Sequence, residues 1–321
     1  MPAPPGVLLS GRVRAPRVAA LVPPSHPHSR MDLSVVVVTH QSRDHILACL
    51  RSLEPGMRAD AGPGAPLAWE CVVLDNDSRD GTPECVEHEA PWARLIRTGA
   101  NLGYAKAVNR GIAATTGAFV VVLNPDCVWH PGAIHALAAW LTAHPRCGIA
   151  APRILNPDGS LEYSARAYPD HFTFLFNRYS LASRLWPGNP WTRRYLLLDW
   201  DHASPRSVDW VSGAAMLARR AAIDAVGAMD EAFFMFNEDV DWCRRMNDAG
   251  WSVDYVPAAT VVHHIGASKG AVSNRVILER HRGMIHYFRK HHRRPAPLDW
   301  LAAFLIMARA RMLVLLNRAG R

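Results

Sequence analysis

The chain has 321 residues, 49% hydrophobic and 20% charged, which allows one large α/β domain or two modest ones with ample core and excludes a disordered or fibrous chain. Its six cysteines (Cys49, Cys71, Cys85, Cys127, Cys147, Cys243) are scattered with no Cys-x-x-Cys pair, which argues for a reducing compartment and against a disulfide framework or structural zinc. Of the net charge of +8, residues 275–321 carry +9 and residues 1–30 carry +4, leaving −5 on residues 31–274; without a nucleic-acid motif, an acidic body with a basic tail points to an anionic membrane surface and not to nucleic acid.

Residues 1–30 are Pro-rich and Arg-bearing. They lack the apolar run of about seven or more residues that a signal peptide requires, and read as a disordered leader with Met31 the first residue that matters. Leu33–Val38 (LSVVVV) reads as a strand buried on both faces. A helix near 43–53 and a Gly/Pro-rich loop over 55–66 follow. A second strand, Glu70–Leu74, ends at Asp75-Asn76-Asp77-Ser78. Residues 93–97 make a third strand, 103–115 a helix, and Ala118–Leu123 a fourth strand ending at Asn124-Pro125-Asp126. Strands alternating with helices predict βαβ units and a Rossmann-like, mostly parallel sheet flanked by helices. Polar residues sit past the C-terminal ends of strands one, two and four, where open α/β sheets bind ligands.

The second half is less regular. Asn156-Pro157-Asp158-Gly159 is a turn; residues 171–186 are aromatic-rich, and Trp186–Trp191, with two prolines, argues against regular structure. WVSGAAMLA (210–218) reads as a strand with a glycine break. An acidic helix spans about 238–249 and stops at Gly250; Val253–Val262 is apolar and ends in His263-His264. A basic helix over 274–292 and, past Pro295 and Pro297, a last helix over 298–317 complete the chain. No stretch approaches the roughly 18 uninterrupted apolar residues of a membrane span.

Four groups of residues carry chemistry. In FNEDVDWCRR (236–245) the carboxylates Glu238, Asp239 and Asp241 open a helix, where the backbone dipole favours acids. The apolar approach FFMF places the first of them at the edge of a buried cleft, where a carboxylate can take a proton from an attacking hydroxyl; an acidic first turn alone also fits an ordinary surface helix. Asp75 and Asp77, in LDNDSRDGT, can accept from a pyrimidine N–H or a ribose hydroxyl, or simply form a turn. Asp126 offers a hard oxygen for Mg²⁺ or Mn²⁺ against a diphosphate, with His263 or adjacent His264 completing the shell. Asn101-Leu102-Gly103-Tyr104, followed by Asn109, is a helix start whose N–H groups suit phosphate or sugar oxygens, or merely a glycine-containing turn.

The segments VVVVTHQSRDHILACLRSL, VVLDNDSRDGT, NLGYAKAVNRGI, LNPDC, DGSLEYSARAYP, WVSGAAMLARR, FNEDVDWCRRMNDAGW and VVHHIGAS, in this order, resemble the family 2 glycosyltransferases of GT-A fold over residues 32–275. DGSLEYSARAYP and NPWTRRY resemble more closely the bacterial rhamnosyltransferases of mycobacterial-type cell walls. The resemblance implies an inverting transfer of L-rhamnose from dTDP-L-rhamnose to a polyprenyl-diphosphate-linked N-acetylglucosamine. It implies a donor site of Thr39, Asp75, Asn76, Asp77, Asn101, Gly103, Asn109 and Asn124, with Thr39 and Asp75 on the base. It further implies Asp239 as general base with Glu238 orienting it or holding an acceptor hydroxyl, Trp210 and Gly213 along the acceptor, and Asp126 with His263 on a divalent metal. The family's Asp-x-Asp metal motif here reads Asn124-x-Asp126, one carboxylate fewer. A UDP-hexose or galactofuranosyl donor stays open, as does a nucleotide-sugar-binding scaffold without turnover.

These readings divide the chain into a leader (1–30), a catalytic domain (31–272, with a nucleotide-sugar half to 130 and an acceptor half beyond), and C-terminal helices (273–321). In the last helix Leu301, Phe304, Leu305, Ala308, Met312, Leu315 and Leu316 share one stripe, edged by Arg309 and Arg311. Ile306, Met307, Leu313 and Val314 make the opposite side apolar too. The helix therefore fits either a membrane surface, peripheral on the cytoplasmic face, or packing against the catalytic domain or a second protomer.

Overall fold

The structure is a computed structural model that describes residues 31–56, 67–170, 173, 185–186, 188–264, 273–292 and 295–319. The expected leader, residues 57–66 of the expected Gly/Pro-rich loop and most of the aromatic-rich segment fall outside the described residues; residues 55–56 of that loop end α1 (Arg43–Gly56).

Strand β1 (Leu33–Thr39) is buried along its whole length. It pairs in parallel with β2 (Trp69–Asp75) on one side and β4 (Phe119–Leu123) on the other, and β3 (Arg94–Arg97) extends the sheet beyond β2. The unbroken β-branched run in β1 follows from that central place, since alternate side chains feed two separate cores. Val36 and Val38 pack with α3 (Tyr104–Ala113), whereas Val35 and Val37 pack with α1 (Arg43–Gly56), α2 (Thr82–Glu89) and α4 (Ala133–Ala143). The register sets Thr39 directly beside Asp75, so both side chains emerge at the C-terminal edge of the sheet.

The sheet is not parallel throughout. Its order is β3-β2-β1-β4-β11-β6-β12-β5. Here β5 is Cys127–Trp129, β6 Cys147–Leu155, β11 Ala215–Arg219 and β12 Ser252–His263. Strand β11 is inserted antiparallel to both β4 and β6. The glycine break expected in 210–218 separates β11 from β10 (Trp210–Val211), which pairs with β8 (Ala165–Arg166) in a two-stranded sheet. Short strands β7 (Leu161–Glu162) and β9 (Arg206–Ser207) flank β6 and β12. One expectation is corrected: a short helix, α5 (Pro190–Tyr195), begins inside the segment read as irregular. Asn189 caps it by accepting from Thr192 N–H at 2.9 Å, and Pro190 takes a first-turn position that needs no N–H.

Helix α6 (Arg220–Val226) leads by a turn into the acidic helix α7 (Glu238–Asp248). The tail forms two helices, α8 (Asn274–His291) and α9 (Ala296–Ala319), packed on each other. Ile306 and Ala310 of α9 are buried, and α8 joins the main core through Tyr287 and Phe288. Among the described residues no helix is long and apolar enough to cross a membrane.

Candidate active site

The segment Gly213-Ala214, left between β10 and β11 by the glycine break, organises the site. Gly213 N–H donates to Asp239 Oδ2 at 3.0 Å, and Gly213 O accepts from the Tyr104 hydroxyl at 2.8 Å. Ala214 O accepts from Asn124 N–H at 2.8 Å and from the Cys127 thiol at 3.3 Å. Two adjacent residues thus hold the start of α7 on one side and the Asn124–Cys127 turn on the other. A Cβ at Gly213 would lie 3.3 Å from Asp239 Cβ, so the bare backbone lets the carboxylate seat there.

Glu238 and Asp239 are adjacent carboxylates at the start of α7. Burial pushes the pKa of each up, and for Glu238 the negative neighbour Asp239 adds to the rise. At Asp239 the opposing influences are N–H donation from Gly213 and Val240 and the charge of Arg166. Glu238 Oε2 is buried without a hydrogen-bond partner among the described residues. Immediately before the pair, Phe236 and Asn237 both adopt left-handed backbone, with φ of 67° and 70°. Two consecutive non-glycine residues in that region are strained, and such strain collects where a site must be held in a set shape. Asp241, the third acid, belongs elsewhere: it is fully buried and receives Arg245 Nε at 2.9 Å, His291 Nε2 at 2.7 Å and Lys290 Nζ at 2.8 Å.

On the opposite side, antiparallel pairing of β5 with β12 brings His263 against Cys127. His263 Nε2 lies 3.3 Å from Asp126 Oδ1, and its Nδ1 2.9 Å from Glu162 Oε2. Burial disfavours the imidazolium, but the two carboxylates outweigh it and hold the His263 pKa at about 9. The ligand atoms of Asp126, Cys127 and His263 all lie within 4.8 Å of one another. Apart from His263 Nε2, buried Asp126 Oδ1 meets no hydrogen-bond partner among the described residues, and Glu162 fixes the far nitrogen of the imidazole, the usual outer support of a metal-binding histidine. This donor set fits a divalent cation. The adjacent His264 instead lays its ring over His45, with centroids 6.2 Å apart.

The donor-side residues divide. Among the described residues Thr39 Oγ1 and Asp75 Oδ1 are buried without partners at neighbouring strand ends, while Asp75 Oδ2 accepts from Ser78 N–H at 3.1 Å. Asp77 stands at the rim, 3.6 Å from Arg79. Asn124, beside the metal-suited turn, is half-buried and held through its backbone. Three of the expected donor residues are engaged inside the protein. The Asn76 amide is spent inside the protein, donating to Asn101 Oδ1 and Gly103 O at 3.2 Å each and accepting from Leu102 N–H at 2.9 Å. Asn109 clamps the loop before α7 through both the N–H and the carbonyl of Met229. The amides at the start of α3 are likewise taken: Gly103 N–H by Asn101 Oδ1 at 3.1 Å and Tyr104 N–H by Phe234 O at 2.6 Å. Gly103 (φ 86°) is required because a Cβ there would sit 2.5 Å from Phe234 O, so its close approach is to the FFMF loop and not to a phosphate. Asn101 spends its oxygen on this lock, and its Nδ2 has no partner among the described residues.

Trp210, expected along the acceptor, is also held internally. It is buried, with its indole N–H donated to Ala167 O at 2.8 Å. The Arg166 guanidinium lies over its ring at 5.0 Å, and Arg166 is the group that reaches Asp239 electrostatically. Sequence reasoning did not single out Arg166, Glu162 or Tyr104. Glu162 and Arg166 lie within DGSLEYSARAYP, but Glu162 is 101 residues from the histidine it supports. Burial and the nearby Glu238, Asp239 and Asp126 push the Tyr104 phenol well up, which places both acid groups within electrostatic reach of one hydroxyl.

A separate cleft of about 450 Å³ beside α4 offers little chemistry, because its Asp254 is already bonded to Trp140 Nε1 at 3.0 Å and Ser207 Oγ at 2.7 Å.

Comparison with known proteins agrees with this geometry. Residues 34–200 match the family described as Glycosyl transferase family 2. The chain is 36% identical over 295 residues, 88% of its length and 92% of the relative's, to the N-acetylglucosaminyl-diphospho-decaprenol L-rhamnosyltransferase of Mycobacterium tuberculosis. It is 26% identical over 239 residues, 73% of its length and 67% of the relative's, to the low-salt glycan biosynthesis hexosyltransferase Agl10 of Haloferax volcanii. In fold it resembles the mannosyltransferase PcManGT of Pyrobaculum calidifontis, solved with GDP-Man and Mn²⁺ (TM-score 0.53, 18% identity, 92% of this chain and 74% of that one). It also resembles S. aureus TarS 1–349 (TM-score 0.51, 15% identity, 87% of this chain and 81% of that one). The mixed α/β sheet is that of the GT-A fold, and the chain belongs to glycosyl transferase family 2.

Proposed function

We propose that this glycosyltransferase moves L-rhamnose from dTDP-L-rhamnose to a polyprenyl-diphosphate-linked N-acetylglucosamine, with inversion at the anomeric carbon. The observation that carries the reading is the carboxylate pair of buried Glu238 and half-buried Asp239, neither bonded to a cation among the described residues, held through Gly213-Ala214 opposite Asp126 and His263. The 36% identity to a rhamnosyltransferase over nearly its whole length supports the choice of sugar and acceptor.

In this mechanism Asp239 takes the proton of the acceptor hydroxyl as that oxygen bonds to the anomeric carbon and the bond to the nucleoside diphosphate breaks. Gly213 N–H and Arg166 keep Asp239 from being wholly neutralised by its burial, so it can act as a base near neutral pH. Glu238 is the candidate to hold the acceptor hydroxyl. Thr39 and Asp75, with their unpartnered buried oxygens, meet the donor base, and Asn101 Nδ2 the donor sugar or phosphate. Asp126 and His263 would hold Mg²⁺ or Mn²⁺, which when bound neutralises charge on the departing diphosphate. Because Asn124 replaces a carboxylate, that site carries less charge than Asp-x-Asp would give it. The enzyme acts as a peripheral protein on the cytoplasmic face of the plasma membrane, where a lipid-linked acceptor resides.

The test is transfer of labelled sugar from dTDP-L-rhamnose to lipid-linked N-acetylglucosamine, alongside thermal stabilisation by dTDP and by UDP. Transfer from dTDP-rhamnose and stabilisation by dTDP are expected. Turnover with only a UDP-hexose or galactofuranosyl nucleotide would reassign the donor, and donor binding without any turnover would leave a scaffold.

A further inference from the structure

Helix α9 has two apolar faces, and among the described residues only one is covered. Ile306 and Ala310 point inward and are buried. On the opposite side Leu301, Phe304, Leu305, Met312, Leu315 and Leu316 are each more than half exposed, with Trp300 exposed at the helix start. A groove of about 590 Å³ runs along this side between Phe304 and Leu315. Arg311 and Arg318 border one edge of the stripe and Arg309 the other, at positions fixed by the 3.6-residue repeat.

We propose that this outer face of α9 seats in an anionic lipid leaflet, with its arginines at headgroup level. The proposal rests on the reading of a lipid-linked acceptor and names the surface that brings the site to it. Charge complementarity selects the occupant. The lone acid of α9, Asp299, is already bonded to Arg289 at 2.9 Å, and Glu279 of α8 to Arg282 at 2.7 Å. A second copy laid on this stripe about a two-fold axis would set arginine edges against arginine edges. A leaflet with anionic headgroups supplies the opposite charge along the whole edge, and exposed Trp, Phe and Leu suit its interfacial zone.

The same edge leads to the active site. Arg309 lies near Arg280 of α8. The Arg280 guanidinium covers the Phe236 ring at 5.4 Å, and that of Arg275 covers Phe234 at 4.4 Å. Phe236 is 40% exposed and precedes Glu238 by two residues. Gly283 allows this approach: a Cβ there would lie 3.0 Å from Phe236 O. Seating α9 therefore sets the strained loop that carries the acid pair beside the headgroups, where a polyprenyl diphosphate presents its sugar.

Flotation of the full chain with vesicles tests this. The wild type should float with vesicles of equal parts phosphatidylglycerol and phosphatidylcholine and much less with pure phosphatidylcholine. The triple variant Leu301→Glu/Leu305→Glu/Met312→Glu should lose at least about tenfold in vesicle binding. The milder Arg311→Gln/Arg318→Gln should lose about tenfold on anionic vesicles alone. Both should keep dTDP binding and transfer to a short-chain, water-soluble acceptor. Equal flotation of the wild type on both vesicles, or full flotation of the triple variant, would overturn the proposal. So would a solution dimer that the triple variant dissolves. Absence of rhamnosyl transfer by the wild type to either acceptor would strike the donor and acceptor reading while leaving the vesicle result standing.

Discussion

Asp239 and Asp241 lie two residues apart on α7 and meet opposite fates. Asp241 faces the tail and is satisfied by Arg245, Lys290 and His291; burial raises its pKa, but these partners more than reverse the effect, and it titrates below the ordinary range. Asp239 faces Gly213, has no bonded cation among the described residues, and titrates above the ordinary range because burial dominates. The same helix thus ties one carboxylate to three cations and leaves the other without one among the described residues, which under the proposed mechanism is the base. What separates them is the company that tertiary packing brings to each face, since their residue type and backbone setting are nearly alike.

The sharpest break of this comparison is Asp239→Asn, which should lower kcat by about 10²–10⁴-fold with dTDP binding intact. The sign for stability is opposite. A carboxyl whose folded pKa is raised stabilises the fold fully below its unfolded pKa, and that contribution is lost as pH rises through the folded value. Removing the charge should therefore raise Tm at neutral pH, and the acid limb of kcat in the wild type should lie above the ordinary carboxylate range. Near-normal turnover in this variant would remove Asp239 from the mechanism.

Asp241→Asn should do the reverse, costing about 2 kcal/mol in denaturant unfolding because a buried carboxylate loses its charge-assisted bonds to Arg245, Lys290 and His291, with kcat per folded molecule little changed. Its depressed pKa stabilises the fold above about 3.8 and ceases to as pH falls through the folded value, so α8 should loosen in acid. Urea midpoints at pH 7 and pH 3 would measure both effects, and a variant as stable as the wild type would contradict the account.

A smaller effect is expected from Gly213→Ala, whose added methyl crowds Asp239 at 3.3 Å. It should lower kcat about tenfold while leaving the KM for donor unchanged, since it shifts the base and not the nucleotide. The smallest is a gain: Asn124→Asp restores a carboxylate to the metal-suited turn and should tighten Mn²⁺ binding several-fold, to about tenfold, by calorimetry. Unaltered affinity would mean that the residue 124 side chain does not reach the cation.

Much of this was legible in the chain. LSVVVV marks a strand buried on both faces wherever it occurs, and the order of strand and helix patterns up to residue 123 permits little but a βαβ layout. WVSGAAMLA announced its break through glycine, and the acidic start of α7 announced itself through composition. The antiparallel insertion of β11 was not legible, because a buried run carries no sign of its direction. Nor was the support of His263 by Glu162, since nothing local to either residue points across so long a separation. The loop-locking bonds of Asn76, Asn109 and Gly103 were not legible either, because an amide or a glycine that locks one loop to another looks the same in sequence as one that meets a phosphate.

By itself, then, the sequence determined the elements, the acids at their ends and the two apolar stripes of α9, because periodicity and turn chemistry are local properties. Tertiary structure decided which acid is left without a cation, which histidine faces Asp126 and which stripe of α9 remains outside among the described residues. Those outcomes depend on what distant segments bring within about 3–4 Å, the range over which hydrogen bonds and ion pairs act.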